Sequence, residues 1–106
     1  MIIYIASPYT QGDQEANVRR QIVAAELIRE RGHLPFVPLL FHLWHGISPH
    51  PYDYWMAMDL EWLSYCDALV RLPGESIGAD AEVAEAKRLC LPVFYGLEEA
   101  LTCLAR

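Results

Sequence analysis

The sequence contains few basic residues, and they are not concentrated in one place. Eight Lys and Arg residues stand against 14 Asp and Glu residues, which gives a formal net charge of −6. No basic cluster is larger than a pair such as Arg19-Arg20. A protein that binds a nucleic-acid polymer or an anionic membrane surface presents a positive patch to the phosphates. The composition therefore predicts that neither a nucleic-acid polymer nor a membrane is among the partners.

Cysteine and long apolar runs are also scarce. The three cysteines are widely spaced, a pattern that suits neither a zinc knuckle nor a disulfide framework. The most apolar stretch, residues 36–44, is too short to cross a bilayer, and residues 1–6 lack the basic start of a signal peptide. We therefore expect reduced thiols and a cytoplasmic protein.

The sequence does contain enough apolar residues for one core. Hydrophobic residues make up 54% of the 106 residues and charged residues 21%, which excludes intrinsic disorder. A chain of this length is expected to form a single domain over residues 1–106.

The spacing of apolar and turn residues predicts four strands that alternate with four helices. The strands are expected at 2–6, 34–37, 67–72 and 92–95. The helices are expected at 13–31, 54–65, 78–89 and 97–104, with an irregular segment over 38–52. The first helix is expected to bury an apolar stripe made of Val18, Ile22, Ala25 and Ile28.

This order predicts an α/β protein with a three-layer, Rossmann- or flavodoxin-like fold, in which helices cover both faces of a four-stranded parallel sheet. The expected strand order is 2-1-3-4, so the topological switch lies between the first and third strands. Ligands of such sheets bind at the carboxyl ends of the strands beside the switch. Segments 6–9 and 71–76 form those ends, and we expect any chemistry there.

Segment 73–82 carries the first candidate residues for that chemistry. Ser76 and Gly78 open a helix directly after a strand, where free N–H groups and a hydroxyl can hold an anion or a sugar hydroxyl. The segment has neither the Walker A pattern nor the dinucleotide fingerprint. Glu82 follows among small neighbours that leave room for a ligand. An acidic residue near the start of a helix also suits the helix dipole without any function, and this reading stays open.

Asp59 and Tyr4 are further candidates. Asp59 shares a helix face with Trp55 and Trp62, where a carboxylate is expected to be paired or functional; the alternative is a solvated carboxylate. Tyr4 places a hydroxyl in an aliphatic strand, and a buried tyrosine needs a partner for that group. Two carboxylates and a tyrosine at one switch point would suit glycosyl chemistry.

Residues 36–62 are rich in aromatic side chains and histidines. His42, His45 and His50 fall in the irregular segment rather than on a regular element, so we expect no metal site. The excess of aromatics indicates a base-stacking wall, a dimer interface or both, and we expect a homodimer or a larger homo-oligomer. The alternative is that residues 42–52 fold over their own pocket as a lid.

Three segments, taken in order, resemble the nucleoside 2-deoxyribosyltransferase-like superfamily. They are residues 4–9 (YIASPY), residues 59–70 with DLEWL and CDALV, and the pattern Ser76-x-Gly78-x-x-x-Glu82. The likeness is greatest to small bacterial and phage members that form a branch of domains of unknown function. It implies that Glu82 is a nucleophile, that Asp59 assists at the sugar and the departing base, and that Tyr4 orients Glu82. It also implies a substrate-binding set made of Ser7, Pro8, Tyr9, Ser76 and Gly78, with Ser76 at the 5′ side of the sugar.

The resemblance implies cleavage or transfer of the N-glycosidic bond of a ribonucleoside or deoxyribonucleoside through a covalent glycosyl-glutamate intermediate, with no cofactor. Segment 8–12 lacks the basic and serine-rich character of a phosphate pocket, which favours a nucleoside. Two alternatives stay open. One is a nucleoside 5′-monophosphate N-glycosidase, and the other is a non-catalytic module that binds a nucleoside or nucleotide.

Overall fold

The computed structural model describes residues 1–104, and in it each strand is followed by at least one helix along the chain. The strands are β1 (Ile2–Ala6), β2 (Leu34–Phe36), β3 (Ala68–Arg71) and β4 (Val93–Tyr95). The helices are α1 (Gln14–Glu30), α2 (Phe41–Ile47), α3 (Tyr52–Leu63), α4 (Ile77–Arg88) and α5 (Leu97–Cys103). None of the helices within these described residues is long and apolar enough to cross a membrane.

The four strands form one parallel sheet in the order β2-β1-β3-β4. Tyr4 of β1 lies opposite Phe36 of β2 on one side and Leu69 of β3 on the other. The predicted α/β fold and the strand order 2-1-3-4 are therefore confirmed. Ala6 and Arg71 end β1 and β3 side by side, so the topological switch lies where the sequence predicts it.

Helices cover both faces of the sheet, and the two faces build separate apolar clusters. Alternate residues of a strand point to opposite faces, so Ile3 and Ile5 pack with α1 and α5, while Tyr4 faces α3 and α4. Because both faces are covered, the central strands are mostly apolar, as is usual for parallel sheets. The face with Tyr4 is the one that carries the candidate site.

Helix α1 buries a different stripe from the predicted one. Its buried residues are Asn17, Gln21, Ala24 and Ile28. Ile22 is 40% exposed, so its predicted place in the core is wrong. The reason is that two side-chain amides of α1 donate hydrogen bonds to backbone carbonyls in and just after β1. Gln21 Nε2 donates to the Ile5 carbonyl at 2.8 Å, and Asn17 Nδ2 donates to the Tyr9 carbonyl at 3.0 Å. Hydrogen bonding to buried backbone, rather than hydrophobicity alone, sets the face of this helix.

Residues 38–52 are helical over much of their length, and the irregular structure predicted there is wrong. A 3-10 helix (Pro38–Leu40) leads directly into α2. Helix α2 has no side-chain cap and no fully buried residue. Instead, the Phe41 ring packs against Trp44 and Trp55, with ring centroids 5.6 and 5.8 Å apart. Aromatic contacts with α3 therefore stabilise a short helix that intrinsic propensity would not predict.

Candidate active site

A cleft of about 1240 Å³ opens at the carboxyl ends of β1 and β3. Helices α2 and α3, the first turns of α4 and the loop after β1 surround it. Six of the predicted site residues line the cleft: Ser7, Tyr9, Asp59, Ser76, Gly78 and Glu82. Two others, Tyr4 and Pro8, do not line it, and they differ in what they contact.

Glu82 lies in the second turn of α4 and points toward the sheet. Its side chain is buried, and the residue is only 5% exposed. Tyr4, which is fully buried on β1, donates its hydroxyl hydrogen bond to Glu82 Oε2. Ala79 and Ala86 allow α4 to approach the sheet closely enough for this contact. The hydrogen bond satisfies the tyrosine hydroxyl and fixes one oxygen of the carboxylate, and Glu82 also lines the cleft.

The two carboxylates hold their protons unusually tightly. Burial raises the pKa of Glu82 to about 8, and the charge of Asp59 adds to this effect. The Tyr4 hydrogen bond and the Arg71 guanidinium act in the opposite direction on the pKa of Glu82. Burial also raises the pKa of Asp59 to about 7. Both groups therefore change protonation near neutral pH, which is the range that acid–base chemistry at a site requires.

Asp59 lies on α3 with one oxygen enclosed by the protein. Its Oδ1 atom is buried and has no hydrogen-bond partner among residues 1–104. A buried polar oxygen without a partner is energetically costly, and a ligand that enters the cleft lined by Asp59 could supply the missing contact. The geometry therefore favours the functional interpretation of Asp59 over that of a solvated carboxylate.

Ser76 and Gly78 have structural roles at the start of α4. Ser76 is the N-cap, and its Oγ accepts a hydrogen bond from the Ala79 N–H at 3.0 Å. Gly78 provides space, because a Cβ there would lie 3.0 Å from Tyr52 Oη and 3.2 Å from Met56 Cε. The absence of a side chain at Gly78 allows α3 to lie close to α4. As a result, both carboxylates reach the same cleft.

The loop after β1 is held in place by Gln21. This buried amide donates to the Ile5 carbonyl at 2.8 Å and to Ser7 Oγ at 2.9 Å. Its Oε1 atom accepts from the Leu39 N–H at 3.2 Å. One side chain therefore connects the end of β1, the predicted substrate-binding Ser7 and the segment that leads into α2.

Pro8 lies outside the large cleft and lines a smaller depression of about 250 Å³. It packs against Gly74, where a Cβ would lie only 2.7 Å from Pro8 Cγ. Gly74 also has a φ of +118°, a conformation that favours glycine. Pro8 thus determines how closely the loops after β1 and β3 approach each other at the switch. Its position gives no support to the predicted contact with substrate.

The histidines predicted to lie in an irregular segment belong to a network of rings beside the cleft. Trp55 Nε1 donates to His45 Nδ1 at 2.8 Å, and the His50 ring stacks on Tyr54 with centroids 3.8 Å apart. His42 Nδ1 forms a hydrogen bond with the Tyr9 hydroxyl. Within residues 1–104, no group of three His, Cys, Asp or Glu side chains is arranged to hold a metal ion.

The sequence profile of the family described as Domain of unknown function (DUF7768) matches residues 1–96. The chain belongs to this family. No curated protein sequence matches it significantly.

Two solved structures of 2-deoxyribosyltransferases share the fold of this DUF7768 chain. The enzyme from Bacillus psychrosaccharolyticus superimposes with a TM-score of 0.65 at 21% identity, over 90% of this chain and 71% of that one. The enzyme from Leishmania mexicana gives a TM-score of 0.64 at 19% identity, over 89% of this chain and 62% of that one. At these identities the likeness shows a deoxyribosyltransferase-like fold, which agrees with the resemblance found in the sequence.

Sequence reasoning missed three residues that shape the site in this family member. Gln21 and Tyr52 line the cleft, and Arg71 donates to the Gly74 carbonyl at 2.8 Å and to Asp80 at 3.0 Å. Burial, followed by the charges of Glu82, Asp53 and Asp59, raises the pKa of Tyr52. Its hydroxyl therefore lies within electrostatic reach of both carboxylates. A signal was present for Tyr52, because a spacing of seven residues on α3 places it on the same helix face as Asp59.

Proposed function

We propose that this protein cleaves or transfers the N-glycosidic bond of a nucleoside, with Glu82 as the nucleophile. The observation that supports this most directly is the buried hydrogen bond from Tyr4 to Glu82, next to the unpartnered oxygen of Asp59 in one cleft. The 2-deoxyribosyltransferase fold of the structural neighbours supports the same class of reaction by analogy.

In the proposed reaction, the ionised carboxylate of Glu82 attacks the anomeric carbon of the sugar. A bond forms between Glu82 and that carbon while the carbon–nitrogen bond to the base breaks. The electron pair of the broken bond goes to the base. Because the pKa values of Asp59 and Glu82 lie close together, the two groups titrate as a pair, and in the reacting state their one proton is on Asp59, which donates it to a neutral base. Water or a second base then displaces Glu82 from the sugar. Negative charge near the anomeric carbon stabilises the cationic character of both transition states.

The charges around the cleft favour a nucleoside over a nucleoside 5′-monophosphate. The described residues that line it include Glu15, Asp59 and Glu82, but no lysine and no arginine. The Ser76 hydroxyl at the helix start already accepts a hydrogen bond from its own helix. A phosphate group would therefore meet negative charge without a matching cation, which opposes its binding.

The test is a panel of nucleosides, deoxynucleosides and their monophosphates, with and without acceptor bases, followed by chromatography of released base. We expect base release from phosphate-free substrates, and loss of at least about 1000-fold in Glu82→Gln. Glu85→Gln is the matched control because Glu85 lies on the same helix and pairs with Arg88 at the surface. Equal activity in Glu82→Gln and wild type contradicts the mechanism. Tight binding without any base release identifies the non-catalytic binding module instead.

We also propose that the protein forms a homodimer or a larger homo-oligomer. Helix α2 leaves Leu43 72% and Ile47 77% exposed, and exposed apolar groups of this kind are common at subunit contacts. The packing of Phe41 and Trp44 on Trp55 agrees equally with the alternative, a segment that covers its own pocket. Light scattering at micromolar concentration distinguishes the two, since a monomeric mass contradicts the oligomer.

A further inference from the structure

Acidic side chains line the cleft. Glu15, Asp59 and Glu82 line it, and no lysine or arginine is among its described lining residues. Arg71, whose charge acts on Glu82, is already bonded to Asp80 and to the Gly74 carbonyl. The side chains of the cleft therefore leave the two buried carboxylates without a bound counter-cation.

His45, which also lines the cleft, is hydrogen-bonded to its own neighbours rather than to the carboxylates. His45 Nδ1 accepts hydrogen bonds from Trp55 Nε1 at 2.8 Å and from the His50 N–H at 3.3 Å. This ring nitrogen is therefore engaged as an acceptor and donates to neither carboxylate. Burial is the main cause of the high pKa values of Asp59 and Glu82, because it disfavours the charged carboxylate, and Arg71 offsets this effect only in part at Glu82.

Aromatic rings form much of the remaining wall. Tyr9, Phe41, Tyr52 and Trp55 all line the cleft. Phe41 stacks on Trp55 with ring planes 26° apart, and the hydrogen bond from Trp55 to His45 fixes the indole. Aromatic faces attract cations in addition to flat apolar groups, most strongly where water is excluded. A flat cation would therefore satisfy both the rings and the unpartnered oxygen of Asp59.

We propose that the cleft selects N-glycosides whose base is a flat aromatic cation, such as an N7-alkylated purine or a pyridinium. This inference rests on the proposed function for the reaction, but the charge preference concerns binding alone. Positive charge on the base compensates the negative charge carried by the carboxylate pair, while the rings contact its faces.

The chemistry of such a substrate is simple at this site. A carboxylate oxygen of Glu82 forms a bond to the anomeric carbon, and the carbon–nitrogen bond to the base breaks. The electron pair of that bond neutralises the cationic ring, so the base leaves as a neutral molecule without receiving a proton. Water then attacks the sugar ester, which regenerates the Glu82 carboxylate and releases the sugar and a proton.

The direct test compares pairs of ligands that share a shape and differ by one charge. Isothermal titration calorimetry would measure 7-methylguanosine against 7-deaza-7-methylguanosine, and nicotinamide riboside against benzamide riboside. We expect the cation of at least one pair to bind about tenfold more tightly than its neutral analogue. The pair that shows the preference identifies the purine or the pyridinium as the source. Equal affinities in both pairs, or failure of both cations to bind, overturns the inference.

Two variants of α3 locate the effect. Asp59→Asn should reduce the preference for the cation to less than about threefold, because it removes one carboxylate from the cleft. Glu61→Gln makes the same change in charge on the exposed side of the helix and should leave the preference unchanged. Equal loss in both variants would mean that net charge alone attracts the cation, which contradicts a specific site. Circular dichroism of Asp59→Asn checks the fold, and the wild-type comparison stands without it.

The result separates this inference from the proposed function. Cleavage of neutral nucleosides together with equal binding of charged and neutral analogues rejects the charge preference and leaves the reaction in place. Selective binding of the cations without base release supports the charge preference and rejects the reaction.

Discussion

Replacing Tyr4 by Phe removes the hydroxyl that donates to Glu82 and keeps the ring that packs between the sheet and α3 and α4. Burial raises the pKa of Glu82, and two groups lower it: the Tyr4 hydroxyl and the Arg71 guanidinium. Without this donor, the ionised form of Glu82 loses stabilisation and the protonated form does not. The pKa of Glu82 should therefore rise in Tyr4→Phe.

The size of this effect follows from the strength of the lost contact. A hydrogen bond to a charged group contributes about 1.5–3 kcal/mol, and one pKa unit corresponds to about 1.4 kcal/mol. The pKa of Glu82 should accordingly rise by about one to two units from its value of about 8. Because the nucleophile is the ionised carboxylate, base release at neutral pH should fall by about 10- to 100-fold.

The assay is single-turnover base release measured across the pH range in wild type and in Tyr4→Phe. The rising limb of the profile should move to higher pH. A uniform loss at every pH would show that Tyr4 acts on geometry rather than on ionisation. An unchanged profile would refute the reasoning, because the hydrogen bond would then have no influence on the nucleophile.

Three further predictions concern stability and ligand binding. The stabilising contribution of protonated Glu82 is present below its unfolded pKa near 4.5 and is lost as pH rises through about 8. Glu82→Gln should therefore raise Tm relative to wild type at alkaline pH but not at acid pH, which thermal unfolding followed by circular dichroism measures. Gln21→Leu should lower the free energy of unfolding by about 2–4 kcal/mol in urea titrations, because Ile5, Ser7 and Leu39 lose a partner; an unchanged midpoint would contradict this role. Gly78→Ala should weaken nucleoside binding in calorimetry by about tenfold or more, since the new methyl group meets Tyr52.

The sheet and the location of the cleft were predictable from the sequence because their signals are local. Short apolar runs alternate with helical periodicity, and this pattern admits few topologies once crossovers are right-handed. Glu82 was also identifiable, because it follows a strand and a helix start at the switch. Its contact with Tyr4 joins residues 78 positions apart in the sequence, so the local sequence reveals neither this contact nor the burial of Glu82.

The missed features depend on contacts between distant parts of the chain. Gln21 is polar, so an apolar stripe cannot identify it as a core residue, yet it is fully buried because the loop after β1 requires its hydrogen bonds. Helix α2 contains Gly46 and lacks a capping side chain, and its local sequence is a weak helix former. It forms because Phe41 packs against Trp55 on another helix, which periodicity within the segment does not reveal.

The most direct test of the central claim is to trap the sugar on the protein. A 2′-fluorinated nucleoside destabilises the cationic transition states, so the covalent intermediate should break down slowly enough for mass spectrometry. The account predicts a mass increase of one fluorinated sugar on the peptide that contains Glu82, retained in Glu85→Gln and absent in Glu82→Gln. Release of base without an adduct, or an adduct on a different residue, would contradict the assignment of Glu82 as the nucleophile.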